Sequence, residues 1–339
     1  MMTPGERHDV TGTDLVPAAT RPDGSRSGLL WYVGVAASVA IMARYPMLGL
    51  PCLAMGLRTQ AERFGLKGFG CSIGIACGVL AAWCLAFGLE SMVYAATLTG
   101  VCIAVSGLMW KRRASVLAIS LVVVACAAVS MGIDAVSLAR AGYGLAEAMC
   151  AMLAEAARAY TGGGIEAELT LTALEPVFES IWPIVYVTTA LVNVGAAGLG
   201  SMLGGISPVR PGSRPSPADA RGHIPQPSSF DAPLWAVGLL VLAVLGIAAS
   251  TLSFPSAGIV RTASWTLLLS VRYIFTIQGL AVVLALLARW RTGCFLRVVV
   301  IMFAISLETM FVLSIIGLVD VWANFRKLPR DGAHAGAQA

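Results

Sequence analysis

Charge is scarce in this sequence: 12% of its 339 residues are Asp, Glu, Lys or Arg, about half the share usual in a soluble domain. Histidine is scarcer still. His8, His223 and His334 are the full complement, each in a polar stretch, so a histidine-based metal or catalytic centre in the apolar part has no raw material. Eight cysteines (Cys52, Cys71, Cys77, Cys84, Cys102, Cys126, Cys150 and Cys294) form no CxxC pair and lie mostly in apolar stretches. They read as small buried hydrophobes, not as a disulfide framework or a metal site. HExxH and the phosphate-cradling GxxxxGK(S/T) are also missing, and the one GxSxG, Gly70-Cys71-Ser72-Ile73-Gly74, lies in an apolar block with no histidine to serve it, so neither a hydrolase nor an ATPase can be assembled. The chain therefore reads as non-enzymatic, without cofactor or metal. Residues 1–28 carry Glu6, Asp9, Asp14 and Asp23 but no short apolar core, so a polar tail is expected there and no cleavable signal.

What is abundant is apolar sequence. At 58% hydrophobic and mean hydropathy +0.81, in blocks of about 18 to 27 residues, the chain has bilayer-spanning lengths again and again. The fold expected is an all-α integral membrane protein, a polytopic bundle of eight or nine transmembrane helices in a bacterial cytoplasmic membrane, with the lipid bilayer as its first partner. All but Lys67, Lys111 and Lys327 of its 23 cationic side chains are arginines, mostly just outside apolar blocks, which marks topology and not nucleic-acid binding.

The first block, residues 29–57, is interrupted by Arg44-Tyr45-Pro46 and by Pro51, and proline removes a backbone donor and clashes with the preceding turn. A hairpin is expected: one helix to about Ala43, a short one from Met47 to Leu57, then a basic loop over Arg58–Lys67. Spans follow near 69–87, 91–110, 114–138, 181–203, 234–253, 263–288 and 297–319. Residues 29–203 form the first half and 234–325 the second. Between them residues 204–233, with seven prolines and Arg210, Arg214 and Arg221, read as a disordered cytoplasmic linker. The segment 139–180 sets six glutamates against Arg140 and Arg158 and belongs outside. Its amphipathic part, with Glu147, Glu155 and Arg158 on one stripe, is either a connector or a lid over a cavity. A single last span would place Arg326, Lys327 and Arg330 of the polar C-terminal tail, 326–339, outside, against the charge bias; either that span folds back or the first hairpin is miscounted.

Two constellations stand out. Gly70, Gly74, Gly78 and Ala82 repeat a small residue every four positions, and Ala36 and Ala40 offer a shorter version, as do Ala196, Gly200 and Gly204. Such stripes let helices approach closely, inside the bundle or on a partner. Ionisable groups at membrane depth are costly and default to function with a named partner. Arg272 lies about 14 Å into its span and Glu308 lies on the next, roughly 9 Å away in level. They either pair, or Arg272 with Tyr273 and Gln278 binds a polar or anionic ligand group. Arg44 and Asn193 join this candidate ligand set, since the proline-broken helices ring an outer mouth.

The C-terminal third carries Arg272-Tyr-Ile-Phe-Thr-Ile-Gln278-Gly279 and Gly317-Leu-Val-Asp320-Val-Trp322-Ala-Asn324-Phe-Arg326-Lys327. Over about residues 260–330 this resembles the YybS-like family of bacterial membrane proteins. That family is distantly similar to the substrate-binding S components of energy-coupling-factor vitamin transporters and to the cell-shape protein MreD. The first resemblance implies capture of a micronutrient from outside and docking, through positions such as Ala36 and Ala40, on a transmembrane coupling protein with ATPases. The second implies a scaffold of envelope growth.

Overall fold

A computed structural model of the protein describes residues 24–161, 165–206, 230–252, 254–290 and 293–326. Among these the secondary structure is helical: α1 (Gly24–Arg44), α2 (Pro46–Phe87), α3 (Leu89–Trp110), α4 (Val116–Arg140), α5 (Leu145–Thr161), α6 (Ile165–Ile181), α7 (Ile184–Ile206), α8 (Leu234–Ala249), α9 (Ala257–Arg289), α10 (Cys294–Leu307), a 3-10 turn at Glu308–Met310, and α11 (Val312–Ala323). Five of them, α2, α3, α4, α7 and α9, are long and apolar enough to cross a membrane, and a sixth crossing is counted if α10 and α11, bent by 95°, act as one span. This is an all-α, multi-pass membrane protein. The expected count of eight or nine spans is not reached. The apolar stretches Leu30–Arg44 and Leu234–Ala249 are too short, and α2 absorbs two of the expected segments.

The break at Pro46 falls where proline chemistry puts it, with α1 ending at Arg44 and Pro46 opening α2. The basic loop over Arg58–Lys67 is a correction. The helix runs on through it, and Arg58, Thr59, Gln60 and Ala61 are buried. The chain turns only at Gly65, whose φ of 62° and ψ of −146° suit glycine alone. It doubles back there: a Cβ on Gly68 would strike the Gln60 carbonyl. So α2 has two arms, residues 46–64 and 66–87.

The first arm is the axis of the first half. A Cβ at Gly49 would fall on Met42 of α1, and one at Gly200 or Gly204 of α7 on the backbone of Pro51 or Met55. Backbones in direct contact replace side-chain packing there. From the other side Ser106 of α3 donates to the Ala54 carbonyl at 3.2 Å and the Cys102 thiol to that of Leu50 at 3.5 Å. Val35, Leu53, Leu57, Leu98 and Ala197 fill the core between these helices.

The second half is smaller. Gly279 of α9 and Gly317 of α11 cross so closely that a Cβ on either would meet the other helix's carbonyls, and Val271 and Phe275 pack on Ala232 and Ala236. The halves meet where Tyr273 and Thr188 share a 2.9 Å hydrogen bond and the Thr262 hydroxyl donates to the Glu179 carbonyl at 3.4 Å. The last apolar segment folds back: α11 is bent by 95° from α10, and Arg326 donates to the Phe230 carbonyl. The chain's last described residues thus lie where the second half begins, beside the end of the linker. Of the linker expected at 204–233, residues 207–229 lie outside the described residues, as do the tail 1–23 and Lys327 with the rest of the C-terminal tail.

Candidate functional site

In the second half, Arg272 with Glu308 and Asp320 with Arg326 belong to two separate networks. In the first, Arg272 Nε donates to Glu308 Oε1 at 2.9 Å and Arg272 Nη2 to the Glu308 carbonyl at 3.0 Å. The same carboxylate accepts from Thr276 Oγ1 at 2.8 Å, Ser314 Oγ at 2.6 Å and Ser314 N at 3.2 Å. It thereby caps the first turn of α11, where orphan N–H groups favour an anion. Phe311, at φ 62°, holds its ring 4.0 Å from the guanidinium carbon. Arg272 is therefore paired with Glu308, the partner that helix levels had named.

In the second network, Gln278 is fully buried with both amide ends engaged: Oε1 accepts from Ala232 N at 2.6 Å and Nε2 donates to Asp320 Oδ2 at 3.1 Å. Asp320 accepts from Arg326 Nη2 at 2.8 Å and from Phe325 N at 2.8 Å. Asn324, at φ 45°, ends α11 with its N–H on the Asp320 carbonyl. Gly279, Asp320, Asn324 and Arg326 thus share one task, fastening α11 to α9 and to the start of α8. Trp322 is 68% exposed on the apolar exterior.

The remaining expected ligand residues lie apart. Tyr273 bonds to Thr188 at 2.9 Å; Asn193 is buried on α7; Arg44 is exposed at the α1–α2 turn, 5.9 Å from the Tyr45 ring centre. No shared site gathers Arg44, Asn193, Arg272, Tyr273, Gln278 and Glu308.

A cavity of about 1350 Å³ lies instead between the halves on the acidic side, walled by α4, α5, α6, α7 and α9. Helices α5 and α6 supply one of its walls. Val124, Met131, Leu171, Phe178, Trp182 and Leu267 give it a mostly apolar wall, and Glu147, Arg158, Glu175 and Glu179 supply its charges. The α9 wall carries Thr262, Thr266 and Ser270, spaced by four so that they share one face. Arg272 comes two residues later, about 200° round the helix from Ser270, and so faces the α10–α11 turn. Tyr186, also in the wall, donates to Asp134 Oδ2 at 2.8 Å. Burial, reinforced by Glu179 and Glu175, pushes the Cys150 thiol up from its ordinary value and keeps it neutral. The threonine ladder and the Glu175–Glu179 repeat are visible in the sequence at helical spacing. Nothing in the sequence marks them as facing each other.

The first half holds its own polar oddity. Gln60 is fully buried and, among the described residues, neither amide atom has a hydrogen-bond partner, nor do Arg58 Nε, Arg63 Nε and Ser201 Oγ. Arg58 keeps one ion pair, to Glu62 at 2.6 Å. The stripe Gly70, Gly74, Gly78 and Ala82 faces outward, and added Cβ atoms at its three glycines would meet open space. Ala36 and Ala40 are half-buried on α1. Among the described residues no group of three or more His, Cys, Asp or Glu is disposed to hold a metal ion.

Scans against protein-family models, curated proteins and solved structures find no match to this chain.

Proposed function

We propose that this chain is a non-enzymatic substrate-binding subunit of a bacterial cytoplasmic-membrane uptake system, related to the YybS-like family and comparable in role to an S component. The observation that carries the proposal is the cavity of about 1350 Å³ between the halves. It exceeds the several hundred Å³ of ordinary small-molecule sites, and its apolar wall with few polar groups has their usual character. It lies on the acidic side, so the ligand enters from outside. Movement across the membrane needs energy from elsewhere, and the outward stripe Gly70, Gly74, Gly78 and Ala82, with Ala36 and Ala40 nearby on α1, supports docking on a transmembrane coupling protein with ATPases. On this reading the two arms of α2 cross separately, and α1 and α8 are short spans seated against longer ones, which restores eight or nine crossings.

The test is recovery of ligand. Purified wild-type protein should release a small molecule on denaturation, detected by mass spectrometry, and Thr266→Trp, which puts an indole into the cavity, should release less. Equal recovery from both, or none from either, overturns the proposal. One observation favours the rival reading as a structural, MreD-like scaffold of envelope growth: the charges at depth, Arg272 with Glu308 and Asp320 with Arg326, are spent on holding helices together. On that reading, pull-downs from membranes return cell-wall proteins and no coupling ATPase.

A further inference from the structure

The cavity wall is rich in acceptors whose own hydrogens are already spent. Thr266 Oγ1 donates to the Thr262 carbonyl at 2.7 Å, Ser270 Oγ to the Thr266 carbonyl at 2.6 Å and Thr262 Oγ1 to the Glu179 carbonyl at 3.4 Å. The Tyr186 hydroxyl gives its hydrogen to Asp134 at 2.8 Å. Each keeps free lone pairs and no free donor. The charged wall residues are Glu147, Glu175 and Glu179 against Arg158 alone among the described lining residues. The rings of Phe178, Trp182 and Tyr186 also line the wall, and aromatic rings attract cations. An anionic ligand would meet three carboxylates against the one guanidinium of Arg158. A cation with an apolar body would meet carboxylates, lone pairs, aromatic rings and apolar walls together.

We infer that the ligand class of this cavity is a lipophilic organic cation, with its charge near Glu147, Glu175 and Glu179 and its apolar body against α4 and α7. The inference rests on the binding-subunit reading and narrows it.

Two isosteric probes of opposite charge, tetraphenylphosphonium and tetraphenylborate, test it by equilibrium dialysis against the full chain in a neutral detergent, with protein-free detergent subtracted as background. Tetraphenylphosphonium is expected to bind at least about tenfold more tightly, the effect of one effective charge contact of about 1.4 kcal/mol. Glu175→Gln with Glu179→Gln should cut that preference at least about threefold at unchanged melting temperature, and Glu147→Gln alone provides the same reading should the double variant unfold. Equal or tighter binding of tetraphenylborate overturns the cation assignment and leaves the cavity a binding site. Specific binding of neither ion overturns the binding-subunit reading as well. Unequal binding that the carboxylate variants leave untouched overturns the role of the glutamates.

Discussion

The two halves of this protein handle buried polarity in opposite ways. In the second half the buried charges and amides are saturated: the Glu308 carboxylate accepts from Arg272, Thr276 and Ser314, and Gln278 bridges Ala232 to Asp320. In the first half Gln60 sits fully buried without a partner for either amide atom among the described residues. Both halves bring backbones together, at Gly200 and Gly204 in the first and at Gly279 and Gly317 in the second, but the second adds a bonded polar lattice where the first relies more on shape. A lattice fails when one member is removed. Shape fails when something is added.

The largest effect is expected from Asp320→Ala. It takes the 2.8 Å carboxylate from Arg326, whose side chain is 1% exposed, leaving it Asp231 at 3.8 Å and the Phe230 carbonyl, and it takes the acceptor from Gln278 Nε2; breaking a buried pair from one side costs about 3–5 kcal/mol. Thermal unfolding in detergent should show the loss, and retention of the wild-type midpoint would mean that the lattice does not hold the second half. Next comes Gly200→Leu in the first half. Its Cβ would fall on the Pro51 carbonyl, so the helices must part, at about 1–3 kcal/mol for overpacking. A midpoint unchanged from wild type would show that α2 and α7 are free to separate. The smallest effect has the opposite sign. Gln60→Leu removes a buried amide with no partner, whose unmet desolvation costs about 1–3 kcal/mol, and is expected to raise the midpoint. A lowered midpoint would mean that Gln60 bonds to something other than the described residues, and the contrast between the halves would narrow.

Much of the fold was legible because lipid imposes coarse rules. Apolar blocks mark the helices, Pro46 marks the first break, and counting residues from the span ends brings Arg272 and Glu308 close enough to pair. The misreadings share a cause. Arg58, Thr59 and Gln60 look like a loop because polar residues usually end a span, yet here α7 and the second arm of α2 press against them and the turn waits for Gly65. The motif residues Gln278, Asp320 and Arg326 were legible as a group but not as a latch, since their partners at Phe230 and Ala232 lie beyond the helix that separates them in sequence. The cavity was not legible at all. Its walls come from five helices between Val124 and Ser270, and no local pattern records which faces turn toward one another.

The hydrogen bond from Arg326 to Phe230 also makes the second half a closed circuit. Its first and last described residues touch, so a short peptide could join them while the chain is opened between α8 and α9, and the rearranged polypeptide would keep every contact around Asp320.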